Sequence, residues 1–138
     1  MDSNDQPPER PGHSTTIPIA QINPDLDHLS ESLIRAAVTL VWPYSSSTKT
    51  FSFLLAEPDF RLRRFNGQVK VAFHGIVAEK VAESHVGIGD EVVLCMVGAR
   101  LEKKESAAQT PGRYVAWDVN FDDRVHLEVL ADGAIRDS

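Results

Sequence analysis

The feature that most constrains this chain is a period-two pattern of apolar residues that begins at Leu33 and runs, with one interruption, almost to residue 130. Ile34, Ala36, Val38, Leu40 and Trp42 alternate with Arg35, Ala37, Thr39 and Val41, which predicts a long first strand with one face buried. Pro43-Tyr44-Ser45-Ser46-Ser47 supplies turn residues after it. Thr48 to Ala56 predicts a second strand with Phe51, Phe53 and Leu55 on one face, ended by Glu57-Pro58-Asp59. Beyond the basic stretch Arg61-Leu62-Arg63-Arg64, a turn at Asn66-Gly67 leads into a third strand with Val69, Val71 and Phe73 on one face. The interruption is Ile76 to Ser84, rich in Ala, Glu, Lys and Val, where Val77, Lys80, Val81 and Ser84 give the narrow stripe of a short helix. Gly87-Ile88-Gly89-Asp90 then opens a fourth strand, Glu91 to Leu101. The polar loop Glu102 to Arg113 precedes a last β region, Tyr114 to Leu130. There Val115, Trp117, Val119 and Phe121 share a face, and after Asp122-Asp123 so do Val125, Leu127 and Val129.

One helix between the third and fourth of five strands is the order of an OB fold, in which the helix plugs one end of the barrel. An SH3-like barrel lacks that helix, and a β-sandwich needs about seven short strands. The predicted fold is therefore all-β with a small helix, a five-stranded Greek-key OB-fold barrel over residues 31–131. A chain of 138 residues is the size of one domain. Residues 1–30, with five prolines and many Ser, Asn, Asp and Gln, read as a flexible acidic leader, to which Ile17–Ile22 can add a short extended piece. Residues 132–138 read as a tail. Gly89 permits an unusual backbone angle at the entry to the fourth strand, where the Asp90 carboxylate is placed to accept nearby backbone N–H groups.

The formal charge of −6 is unevenly placed. Residues 1–32 hold six acids against Arg10, and residues 131–138 hold two against one, which leaves 12 acids and 12 bases in residues 33–130. A neutral barrel binds a polyanion only where its bases gather along one groove. No apolar run approaches the roughly 20 residues of a membrane helix, and the first residues do not have the pattern of a secretory signal. Cys95 is the sole cysteine, so an internal disulfide is excluded and a reducing compartment is expected. The five histidines are scattered, no Cys/His spacing suits zinc, and Gly87-Ile88-Gly89 leads into a strand and not a helix. Neither catalysis nor a cofactor is expected.

Binding of a single strand by an OB barrel needs flat aromatics for stacking and cations along the phosphate path. The second and third strands present that face, flanked by the loops between strands one and two and between four and five. Lys49 and Lys70 fall on or beside it, and Lys103, Lys104 and Arg113 fall in the last loop. Trp42 continues the apolar face of the first strand, so core and ligand roles both stay open for it. Tyr44 follows a proline in a turn and is expected to be exposed. Phe73 shares a face with Val69 and Val71, which argues for core. The cluster Arg61, Arg63 and Arg64 lies in the connection between strands two and three, away from this face, and suits a protein partner.

Leu33 to Leu101, with Trp42-Pro43-Tyr44, Ala56-Glu57-Pro58-Asp59, Val69-Lys70-Val71-Ala72-Phe73-His74-Gly75 and Gly89-Asp90-Glu91-Val92-Val93, resembles the telomeric single-stranded-DNA-binding OB domain of the protection-of-telomeres family, with fungal telomere-end-binding relatives most similar. The resemblance implies an OB barrel, a G-rich telomeric single strand as ligand, and location in the nucleus at the telomeres of chromosomes. It implies that aromatics at the ends of strands one and three stack on bases. At those positions stand Trp42 or Tyr44, and Phe73, with His74 adjacent. The polar loop Ser45 to Lys49 would lie beside the DNA. Two functions follow as expectations: a single-stranded-DNA-binding module, or a protein-interaction or dimerisation OB domain of a telomere-capping complex. In either, other telomere proteins would dock on Arg61, Arg63 and Arg64.

Overall fold

A computed structural model describes residues 15–63, 66–103, 115 and 117–130. Its elements are β1 (Thr15–Thr16), β2 (Ser32–Ser45), β3 (Thr50–Ala56), β4 (Gln68–His74), helix α1 (Ile76–Glu83), β5 (Glu91–Cys95), β6 (Arg100–Lys103), β7 (Trp117–Phe121) and β8 (His126–Leu130). Single 3₁₀ turns lie at Ile19–Gln21, Leu29–Glu31 and Phe60–Leu62.

The strands hydrogen-bond in the order β6-β7-β4-β3-β2-β5-β8, with β1 parallel to the start of β2. β4 and β7 pair in parallel, and the other neighbours along the path are antiparallel. The two ends of this path are halves of one bent hairpin. β5 continues through residues 96–99 into β6, β7 continues through 122–125 into β8, and β5–β8 and β6–β7 pair antiparallel. The predicted fourth and fifth strands are thus each broken once. The break lets one half of the hairpin border β2 and the other border β4, which bends the sheet round into an OB barrel.

The core follows the alternation. Ile34, Ala36 and Val38 of β2, Phe53 and Leu55 of β3, Val69, Val71 and Phe73 of β4, Val92 and Leu94 of β5, and Val119 and Phe121 of β7 are all buried. Phe73 sits at its centre, 5.3 Å edge-to-face from Phe53 and 5.6 Å stacked on Phe121. The predicted helix closes one end through buried Val77, Ala78 and Val81. Asn66 and Gly67 make the turn before β4. A Cβ on Gly67 would run into the Leu62 carbonyl. Gly89 has φ +98°, and Gly87 N–H donates to Asp90 Oδ2 at 2.9 Å, as expected at the entry to β5.

The leader expected over residues 1–30 needs correction in its second half. Ile19 and Ile22 are buried in the core cluster. Ile19 N–H donates to the buried Glu57 carboxylate at 2.7 Å, and Ile17 N–H donates to Leu33 O at 2.9 Å. Glu57 follows β3 directly, so this segment plugs the barrel at the β3–β4 connection, opposite α1. Prolines 18 and 24 and the many polar residues made it look unpacked. Two isoleucines three apart on one 3₁₀ turn suffice to bury it.

Candidate nucleic-acid interface

The outer face of the sheet carries the candidate site, and a bulge decides which residues stand on it. The register of β2 against β3 shifts between Val38 and Leu40. Before the shift, Val38 pairs with Leu55 and both point inward. After it, Leu40 pairs with Leu54 and Trp42 with Ser52, and Val41 takes the inward place opposite Phe53. One extra residue in a strand inverts the facing of all that follows. Leu40 and Trp42 therefore leave the core face, and Trp42 is 41% exposed.

A straight row of cross-strand neighbours runs from it: Trp42 on β2, Ser52 on β3, Ala72 on β4, Asn120 on β7 and Arg100 on β6. With strands about 4.8 Å apart, Trp42 and Asn120 stand about 14 Å from each other. Ser52 and Ala72 are small, so the row has a low floor between a large aromatic and a polar end. A second row holds Leu40, Leu54 and Lys70. The Lys70 ammonium lies 4.7 Å from the Trp42 ring centroid, a cation–π contact that holds the ring on the face.

At the α1 end of the face, His74 pairs with Thr50, and Lys49 in the adjoining turn accepts Gly75 N–H at 2.9 Å through its carbonyl. On the β4 side of the face, Lys70 and His74 flank the row, two residues before and two after Ala72, and Lys49 adjoins the His74 end in the left-handed region at φ 56°. His74 Nε2 meets Asn120 Oδ1 at 2.8 Å. On the other side the charges are mixed. Arg100 bonds Asp122 at 2.9 and 3.3 Å and Glu102 at 2.9 Å. The Arg100 hydrogen bond, offset in part by desolvation and aided by its charge, holds the Asp122 carboxyl below the usual carboxylate range. Lys103 reaches the Trp117 ring at 5.9 Å.

Of the residues expected to bind, Trp42, Lys49, Lys70 and His74 lie on this face or at its margins, whereas Lys103 pairs with Trp117 and so takes the opposite facing from Arg100 and Glu102. Phe73 does not. It is 0% exposed and packed among Phe51, Phe53 and Phe121, so the stacking role implied for it is corrected to core. Tyr44 is half-buried against the core, and its hydroxyl donates to Glu79 Oε2 at 3.4 Å. Partial burial, then Glu79, raises its phenol above the ordinary value. Lys104 and Arg113 lie outside the described residues, as does Arg64. Arg61 is paired with Asp59, while Arg63 donates to Glu57 O at 2.6 Å and covers the Phe60 ring at 4.1 Å. Ser52, Ala72 and Asn120 were not anticipated. Their signal was the polar or small member of each alternating pair.

A family model spans residues 13–135 of this chain. The chain belongs to that family, a domain of unknown function (DUF8502). No curated protein matches it. Among solved structures, this DUF8502 domain is similar to a protein assigned as an aspartyl-tRNA synthetase from Leishmania major Friedlin. The TM-score is 0.54 and the identity 18%, over 96% of this chain and 23% of that one. It is also similar to fission yeast Pot1, solved with single-stranded DNA, at a TM-score of 0.50 and 15% identity over 86% of this chain and 40% of Pot1. The OB domain of a Methanosarcina mazei protein aligns at a TM-score of 0.42 and 16% identity, over 72% of each chain. The chain spans less than half of the first two proteins, and its likeness to them is one of fold.

Proposed function

We propose that this domain binds single-stranded DNA across the outer face of β2, β3, β4 and β7. The observation that carries the reading is Trp42. A bulge turns this large aromatic out of the core onto the OB binding face, with Lys70 against its ring and a floor of Ser52 and Ala72 beside it. A base stacks on Trp42, and the phosphates follow Lys70, His74 and Lys49. Fission yeast Pot1, similar in fold, was solved with single-stranded DNA, which supports the same ligand class here. The finer reading is a G-rich telomeric strand, bound in the nucleus at chromosome ends as part of a telomere-end-protection protein. It rests on the sequence resemblance over Leu33 to Leu101.

The test is titration of a labelled G-rich telomeric oligonucleotide against its duplex and against a shuffled single strand. Tight single-strand binding with weak duplex binding is expected, because duplex bases are already stacked. Equal binding of the shuffled strand would remove the telomeric part alone. No binding by the folded domain at low salt would remove the DNA reading.

A second reading is favoured by a separate observation. Phe60 is 74% exposed and Leu62 is exposed beside it, with Arg61 and Arg63 around them on the β3–β4 connection. Such an apolar and basic knob suits a protein partner in a telomere-capping complex, and it lies away from the Trp42 face.

A further inference from the structure

Asn120 stands on the outer face of β7, yet it is 5% exposed. Its cross-strand partners are Ala72 and Arg100, and His74 bonds its amide. With the proton on Nε2, His74 donates to Asn120 Oδ1. The Nδ2 amino group is buried and has no hydrogen-bond partner among the described residues. An N–H donor shut away from water without an acceptor is costly, and native folds rarely keep one. The donor lies in the floor of the row that starts at Trp42, about three strand spacings from that ring.

We propose that Asn120 is the base-reading residue of this face, and that it selects bases with a keto oxygen at purine C6 or pyrimidine C4 over bases with an amino group there. The proposal rests on the single-strand reading above and names its specificity. A recessed donor is reached by an acceptor that projects from the ring edge. Guanine O6 and thymine O4 project in this way, whereas adenine and cytosine project N6 and N4 amino groups, which bring N–H against N–H. The small Ser52 and Ala72 leave room for the base edge, and Trp42 holds a neighbouring base by stacking. The Nδ2 atom has no free surface, so the entering edge displaces a neighbouring side chain.

The test compares thymine and adenine tracts of about ten nucleotides, titrated by fluorescence anisotropy against the wild type, Asn120→Val and Asn120→Asp, with urea unfolding of each. Wild type is expected to prefer the thymine tract. Asn120→Val should shrink that preference by roughly fivefold, the scale of one neutral hydrogen bond, in the fraction that urea unfolding shows to be folded. Asn120→Asp, an acceptor in place of a donor, should move the preference toward adenine. Should valine not fold, Asn120→Ala fits any site that holds asparagine and gives the same comparison. An unchanged ratio in a folded Asn120→Val or Asn120→Ala overturns the assignment while leaving single-strand binding intact. So does a wild-type preference for adenine. Failure of the folded wild type to bind either tract or the G-rich strand at low salt overturns the single-strand reading and this assignment with it.

Discussion

Trp42 and Phe73 were the two strand residues whose roles the sequence left balanced between core and ligand, and the structure puts them on opposite faces. Their truncations should therefore behave in opposite ways. Trp42 keeps 41% of its surface open. Scaling the roughly 1.5–3 kcal/mol of a fully buried large apolar side chain by the covered fraction gives about 1–2 kcal/mol of stability for Trp42→Ala. Phe73 is fully enclosed by Phe51, Phe53 and Phe121, so Phe73→Ala should cost about 3–5 kcal/mol. For binding the order reverses. Loss of a stacking platform costs about 1–3 kcal/mol, roughly 5- to 150-fold in Kd, and falls on Trp42. The folded fraction of Phe73→Ala, or of the milder Phe73→Leu, should bind as wild type does. Urea unfolding followed by circular dichroism gives the stabilities, and anisotropy with a labelled G-rich single strand gives the affinities. A folded Trp42→Ala with unimpaired affinity would refute the placement of DNA on this face. A folded Phe73→Leu that binds tenfold more weakly than wild type would show that the core assignment misses its role.

Lys70→Gln should weaken single-strand binding less than Trp42→Ala and lower the salt slope by about one, the signature of a lost phosphate contact. A slope equal to that of wild type would take Lys70 off the phosphate path. Ile19→Ala should destabilise the domain by about 2–5 kcal/mol, because Ile19 is buried in the core and not part of a loose leader. A change within a few tenths of a kcal/mol would restore the leader reading. Asp122 has its folded pKa lowered by Arg100, so its contribution is present above the unfolded pKa and is lost as pH falls through the folded one. Asp122→Asn should therefore reduce stability slightly at neutral pH and flatten the acid limb below about pH 4, as chemical unfolding across pH would show. Superimposable acid limbs would mean that the ion pair does not couple to folding.

The strand order and the helix were legible because each rests on local periodicity. Phe51, Phe53 and Leu55, then Val69, Val71 and Phe73, alternate without interruption, and both sets are buried as the pattern requires. Helix α1 ends within one residue of its predicted end. The break at 122–125 was marked by Asp122-Asp123, whereas the break at 96–99 comes from the need of one hairpin to border both β2 and β4, a long-range demand. The plug formed by Ile19 and Ile22 was hidden for the same reason. Its burial depends on Glu57, 38 residues away, receiving the Ile19 N–H.

The site was legible only in part, and the reason is geometric. Alternation tells which residues share a face until a bulge intervenes, and then it assigns every later residue of that strand to the wrong side. At Thr39 the chain gains one residue against β3, and the apolar series Ile34, Ala36, Val38, Leu40, Trp42 is cut after its third member. A β-branched, polar Thr in a run of apolar residues is no bulge signal by itself, so nothing local marked the cut. The consequence is functional, because without the shift Trp42 would point into the barrel and the face would lack its large aromatic. With it, the aromatic, the lysine that holds it and the two small residues beside it come from three strands into two adjacent rows. Asn120 and His74 complete the face from β7 and β4. Their pairing joins residues 46 positions apart, and only the parallel register of β4 and β7 brings them together.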